Sequence, residues 1–160
     1  MINSGSKMRP TTGIQGGFTL IELLIVISII LTIAAMAIPS LLSAINQARV
    51  ARAVDEVSAM ETDILGYDAT NGQLPDTLAQ IGRPNFLDPW GNAYQYLNHS
   101  TMKGNGMARK DRFLVPLNSV YDLYSDGADG QSASPITAGK SQDDIIRAND
   151  GGYVGLASQY

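Results

Sequence analysis

Residues 17–40 read GFTLIELLIVISIILTIAAMAIPS, and this stretch decides how the rest of the chain is organised. From 18 to 38 it holds 21 residues with one charge, Glu22. As a helix it spans about 30 Å, the thickness of a bilayer's hydrocarbon core. Lys7 and Arg9 precede it and no acid does. The positive-inside rule therefore keeps the N-terminus cytoplasmic and carries the C-terminal part across the membrane. A plain signal anchor fits these features. So does a secretory signal peptide cut near Ala35-Met36-Ala37, a small-x-small site. Neither accounts for Glu22. A carboxylate inside an apolar segment is costly and marks function.

Beyond residue 40 the pattern changes. Leu42, Ile45, Val50, Val54, Val57, Met60 and Ile64 recur at spacings of three to five, with Arg49, Arg52, Asp55, Glu56 and Asp63 between them. That is an amphipathic helix with one stripe to bury. No strong breaker separates the two stretches, so the sequence predicts one long helix from 18 to about 67, bent near Pro39. Asn71-Gly72 ends it, glycine suiting a left-handed cap.

The segment GGFTLIELLIVISIILTIAAMAIPS resembles the N-terminus of type IV pilins and of type II secretion pseudopilins. The resemblance implies that a prepilin peptidase cuts between Gly17 and Phe18, and that the new Phe18 amine is N-methylated. A glycine lets the leader extend into a protease cleft. Glu22 then lies one helical turn from the new terminus. The resemblance implies that it pairs with the N-terminal amine of a neighbouring subunit on assembly. Pro39 matches the family's helix kink, where a proline removes one backbone hydrogen bond, a loss that membrane helices tolerate.

After Gly72 come the turns Leu74-Pro75-Asp76, Arg83-Pro84-Asn85, Asp88-Pro89 and Gly91-Asn92. One helical turn fits at 77–81. Strands are predicted at 93–97, 113–117 and 120–124, and a mobile hairpin loop at 99–110. An antiparallel meander packed on the helix is the economical arrangement, an α+β fold. Trp90 is expected in the core, as large aromatics in small domains mostly are. The run Asp88-Pro89-Trp90-Gly91-Asn92 and the turn Asn71-Gly72 with Leu74-Pro75 resemble the major pseudopilin family of type II secretion more narrowly.

The last forty residues are acidic and rich in small residues, with Asp126, Asp129, Asp143, Asp144 and Asp150 among Gly, Ser and Asn. Oxygen donors on a glycine-bearing loop suit calcium. An EF-hand is excluded: the twelfth position from Asp126 is Thr137, and from Asp129 it is Lys140, where a glutamate is required. The pseudopilin resemblance supplies another template, a calcium loop. Gly127-Ala128-Asp129-Gly130 matches its first element and Gln142-Asp143-Asp144-Ile145 approximates its second. It implies Asp129 as a ligand, Asp143 or Asp144 as the second carboxylate with Asp143 preferred, and the Asp126 carbonyl. The loop between the two elements, Ser132 to Gly139, is longer than the template's, which is rich in glycine and glutamate. The alternative is that these aspartates cap turns and a short helix at 143–148.

Composition excludes several functions. The chain has no cysteine and one histidine, His99, so neither a disulfide nor a thiolate or zinc site is available. A small cysteine-free core needs another fastener. Net charge is −4, and −6 without the first 17 residues, which argues against nucleic acid. No GxSxG, HExxH or P-loop is present.

The expected organisation is a leader at 1–17, a transmembrane and filament-core helix at 18–42, and a periplasmic globular domain at 43–160. The expected function is that of a non-enzymatic subunit, anchored in the bacterial inner membrane by one pass. It forms a homo-oligomeric periplasmic pseudopilus that drives protein export. Its implied partners are the prepilin peptidase, minor pseudopilins, the inner-membrane assembly platform and, before assembly, the lipid bilayer. A pilin of a surface filament and a membrane-anchored calcium-binding module are the alternatives.

Overall fold

The computed structural model describes residues 17–104 and 106–160. Most of the expected leader, with Lys7 and Arg9, lies outside the described residues. The chain divides into a unit ending at Leu42 and a second unit, Ser43–Tyr160.

Helix α1 covers Leu20–Asn71 and runs through Pro39. In its first part Ile21, Leu24, Ile25, Ile29, Ile30, Ile33 and Met36 are all exposed. This helix is long and apolar enough to cross a membrane. The hydroxyls of Ser28 and Thr32 donate to the carbonyls of Leu24 and Ser28, at 2.7 and 2.8 Å. Both polar side chains are therefore satisfied within the helix, as an apolar surrounding requires. Gly72 closes α1 at φ +70°, its N–H donating to the Asp68 carbonyl at 2.7 Å.

Within the second unit, α1 buries Ala53, Val57, Met60 and Ile64. Of the predicted stripe, Leu42 and Ile45 stay exposed, and Ala53 takes a core position that its small size had hidden. The stripe lies on a four-stranded antiparallel meander, β1 (Gln95–Asn98), β2 (Tyr121–Ser125), β3 (Ile145–Ala148) and β4 (Tyr153–Leu156), in that order. Tyr94, Tyr121, Leu123 and Ile145 complete the core against α1, with Trp90 packed at its margin. A second cluster, Leu117, Ile136, Ile146, Ala148 and Ala157, covers the other face of the sheet. Neighbours along β3 thus serve opposite cores, as the pleat demands.

Two expectations and one alternative need correction. Residues 113–117 form no strand. The backbone there is spent on a turn, with Asp111 N–H donating to the Leu114 carbonyl at 3.0 Å and Leu117 N–H to the Arg109 carbonyl at 2.7 Å. Residues 145–148 are strand, not helix, because Ile145 and Ile146 are drawn to opposite cores. The segment 99–110 is not simply a hairpin loop. It starts with a 3-10 turn at His99–Thr101 capped by Asn98, and it ends with Ala108 and Arg109 buried.

Met60 is fully buried at the centre of the helix–sheet core. Met60→Ala is expected to lower stability by about 2–5 kcal/mol. Urea unfolding of the detergent-solubilised chain, followed by Trp90 emission, measures it.

Candidate functional site

Three groups of residues carry the chemistry. The first is the start of α1. Glu22 is the acid of its first turn. Its Oε2 accepts from the Thr19 N–H at 2.8 Å and the Thr19 hydroxyl at 2.7 Å, while the Glu22 N–H donates to Thr19 Oγ1 at 3.2 Å. This is a reciprocal capping box. In a single chain the carboxylate is therefore held by its own helix start through Oε2, and no donor to Oε1 is found among the described residues. The spacing Thr19-Leu20-Ile21-Glu22 carries this signal in the sequence, a threonine followed three residues later by a glutamate. Gly17 and Phe18 precede the helix, both exposed.

The second group is the turn before β1. Asp88 is buried, and its Oδ1 accepts from the N–H groups of Trp90 and Asn92 at 3.0 and 2.8 Å. Its Oδ2 accepts from the Ser125 hydroxyl at 2.5 Å. Asn92 Nδ2 donates to the Gly127 carbonyl at 2.9 Å. The Asp-Pro-Trp-Gly-Asn run thus ties the end of β2 to the acidic loop that follows it.

The acidic loop is the third. Asp129 is exposed and Asp143 partly so. Asp143 Oδ2 accepts from the Asp129 N–H at 3.0 Å, which brings the two residues together across the loop. Asp129 Oδ1 accepts from the Gln131 N–H at 2.7 Å. Gly127, at φ +67°, lies so close to Asp143 that a Cβ would come within 2.4 Å of its carbonyl oxygen and 2.8 Å of its Oδ2. Only glycine permits that close approach of the two loop segments. Hard oxygen donors without nitrogen or sulfur suit calcium. No group of three or more His, Cys, Asp or Glu is placed to hold a metal among the described residues. Two carboxylates plus backbone carbonyls are what the loop offers.

Asp144 lies apart from this pair in its bonding. It is fully buried, its Oδ2 accepting from Arg109 Nη2 at 2.6 Å and from Ser132 Oγ at 2.5 Å. Arg109 Nη1 also donates to the Ser132 hydroxyl, and the guanidinium stacks 4.1 Å from the Tyr124 ring centroid. Burial pushes the Asp144 carboxyl up to about 6, against the downward pull of Ser132 and Arg109. Asp126 turns its carboxylate to Gln95 Nε2 at 3.1 Å, and burial raises it too. Sequence reading missed Arg109, because its partner stands 35 positions away and no local pattern links them.

Removing Asp144 strands a buried guanidinium. Asp144→Ala is expected to cost about 3–5 kcal/mol, read as a lowered urea midpoint, whereas Asp129→Ala at the exposed rim changes it by less than about 0.5 kcal/mol in metal-free buffer.

Comparisons with known proteins bear on both ends of the chain. A family model described as "Prokaryotic N-terminal methylation motif" matches residues 14–38. The chain is 32% identical over 138 residues to the type II secretion system core protein G of Pseudomonas aeruginosa, covering 73% of this chain and 86% of that protein. It is 30% identical over 151 residues to the protein of the same name from Vibrio cholerae, covering 82% and 90%. A fimbrial protein of Pseudomonas aeruginosa is 54% identical, but over 48 residues only, or 30% of this chain. No solved structure matches the chain.

Proposed function

The chain belongs to the type II secretion system core protein G family, and from that premise we propose how its residues serve a pseudopilus. It is a major pseudopilin, a structural subunit that polymerises, processed at its N-terminal methylation motif and anchored in the inner membrane by the apolar part of α1. The observation that carries this reading is the extent of the likeness. The fimbrial match covers only 30% of the chain, whereas the core protein G matches take in the globular domain as well.

Cleavage falls between Gly17 and Phe18, leaving a methylated Phe18 amine. Lipid does not solvate the Glu22 carboxylate, and among the described residues one chain offers it only Thr19. A neighbouring copy's Phe18 amine is the charged partner it lacks, so pairing accompanies withdrawal from lipid into the filament. Pro39 supplies the weak point at which α1 adapts to neighbours. The globular domain lies in the periplasm. Minor pseudopilins and an inner-membrane platform complete the assembly, and the subunit catalyses nothing.

Calcium belongs to the same reading. Asp129 and Asp143 would hold it with loop carbonyls, that of Asp126 included, and the ion would supply charge neutralisation and cross-linking of the loop. The hydrogen bond that brings Asp129 and Asp143 together across the loop supports this. Asp144 is left to Arg109.

Two measurements test the proposal. Edman sequencing of the mature subunit is expected to start at methylated Phe18, and Glu22→Ala to abolish export while the domain melts unchanged; normal export by that variant overturns the pairing role. A chelator is expected to lower the melting temperature, and Ca²⁺ but not Mg²⁺ to restore it. Asp129→Ala and Asp143→Ala each remove that response. A melting temperature indifferent to the chelator overturns the calcium site and leaves the filament intact.

A further inference from the structure

The turn at residues 111–115 places Phe113, Leu114 and Val115 in solvent, Phe113 at 90% of its full exposure. Water penalises such a group of neighbouring apolar side chains, and a patch of this kind marks a contact surface. The tip is not loose chain. Its base is fixed by the Asp111–Leu114 and Leu117–Arg109 backbone bonds. Arg109 itself is locked to Asp144. Leu117 is buried in the second core. The fold therefore presents these side chains from a rigid stem.

Charge singles out the same place. Of the nine cations at residues 18–160, Arg52, Arg83, Arg109 and Arg147 are each paired with a carboxylate. Arg49, Lys103, Lys110, Arg112 and Lys140 have no acidic partner within 4 Å among the described residues. Lys110 and Arg112 flank the tip in sequence. Gln142 and Ser158 line both the groove that contains Asp111 and Arg112 and the groove that contains Asn46, Val50 and Gly139. The tip thus lies on the side of the globular unit that Asn46 and Val50 of α1 line, and Arg49 and Lys140 are sequence neighbours of the lining residues Val50 and Gly139. Asp111, Asp143 and Asp129, whose N–H donates to Asp143, are the acids there.

We propose that this end of the domain is a lipid-docking face. Phe113, Leu114 and Val115 enter the interfacial layer of an anionic bilayer, while Lys110, Arg112, Arg49 and Lys140 meet the headgroup phosphates. Aromatic and aliphatic side chains ringed by lysine and arginine have the chemistry of peripheral membrane attachment. The remainder of the chain is acidic and is repelled by that surface, so the basic end sets the domain's orientation. This rests on the reading that α1 anchors the chain in a membrane, which keeps a bilayer within reach.

The full chain, reconstituted in vesicles carrying brominated acyl chains, tests it. Wild type reports through Trp90 alone. Phe113→Trp is expected to add emission that is blue-shifted and largely quenched in vesicles rich in phosphatidylglycerol, with little added quenching in phosphatidylcholine. Lys110→Glu with Arg112→Glu, placed on Phe113→Trp, removes that quenching at unchanged far-UV circular dichroism. Quenching no greater than that of wild type overturns the proposal, since the tip then stays in water. Disulfide dimers of a Phe113→Cys chain, with no lipid quenching of the tryptophan variant, overturn it in favour of a second copy. Docking does not require assembly, so Glu22→Ala leaves it intact, and failure of the filament reading is read separately. A chain that never anchors fails to float with the vesicles at all.

Discussion

An apolar helix surface that its own chain does not cover is the constraint on which the rest of this molecule depends. In the first part of α1, residues such as Ile21, Leu24, Ile25 and Ile29 are about half exposed or more. Such a surface has two stable surroundings, hydrocarbon or other copies of itself. The choice between them is set at the first turn. Glu22 is capped by Thr19, which satisfies the orphan N–H groups of the helix start but leaves the carboxylate's charge uncompensated. Lipid tolerates the helix and resists that charge. Under the proposed pairing, a filament of copies would accept both, each neighbour bringing a cation.

The globular unit faces a different problem, which is closing a small core without cysteine. Two arginines solve it on opposite faces of the sheet. Arg147 reaches Glu61 on α1 at 2.7 Å and stacks 4.2 Å from the Tyr121 ring centroid, binding helix to sheet. Arg109 reaches Asp144 and stacks on Tyr124, binding the long β1–β2 connection to the other face. Both tyrosines come from β2. The planar guanidinium suits this double duty, since one edge donates while the face rests on an aromatic ring. Asp122 extends the same scheme, accepting from the Arg109 N–H at 2.7 Å and from Asn118 Nδ2 at 2.9 Å.

What sequence reading recovers follows from how local each signal is. The long helix, its glycine cap, β1, β2 and the turn at Leu78–Ile81 rest on periodicity and punctuation, and they were legible. β3 and β4 were not. Ile145 and Ile146 face different cores, so alternation is invisible, and the acidic run before them pointed to a loop. The run at 113–117 failed in the opposite sense. Its apolar residues suggested a strand, yet Pro116 and the turn at Asp111 leave no ladder to join. At the candidate sites, Glu22 stands out in the sequence as a lone charge in an apolar helix, whereas Asp129 is singled out only by the family resemblance. That Asp143 meets Asp129 while Asp144 turns inward to Arg109 required the fold, because adjacent residues on either side of a strand start point opposite ways.

That inward turn also explains why two successive aspartates are not interchangeable. Asp144 is the residue before β3, and its carbonyl accepts the Ala157 N–H at 2.9 Å, which continues the β3–β4 pairing beyond the last strand residues. Its side chain is thereby committed to the buried face, where only a guanidinium and a hydroxyl await it. One residue earlier the chain is still turning, so Asp143 keeps its carboxylate at the rim beside Gly127. The pleat of β3 thus divides one acidic pair into a structural charge and a rim charge. The structural member holds the connection that carries residues 111–115, and the rim member stands beside Asp129. A register slip of one residue would exchange the two, placing an unpaired carboxylate in the core and leaving Arg109 without its anion.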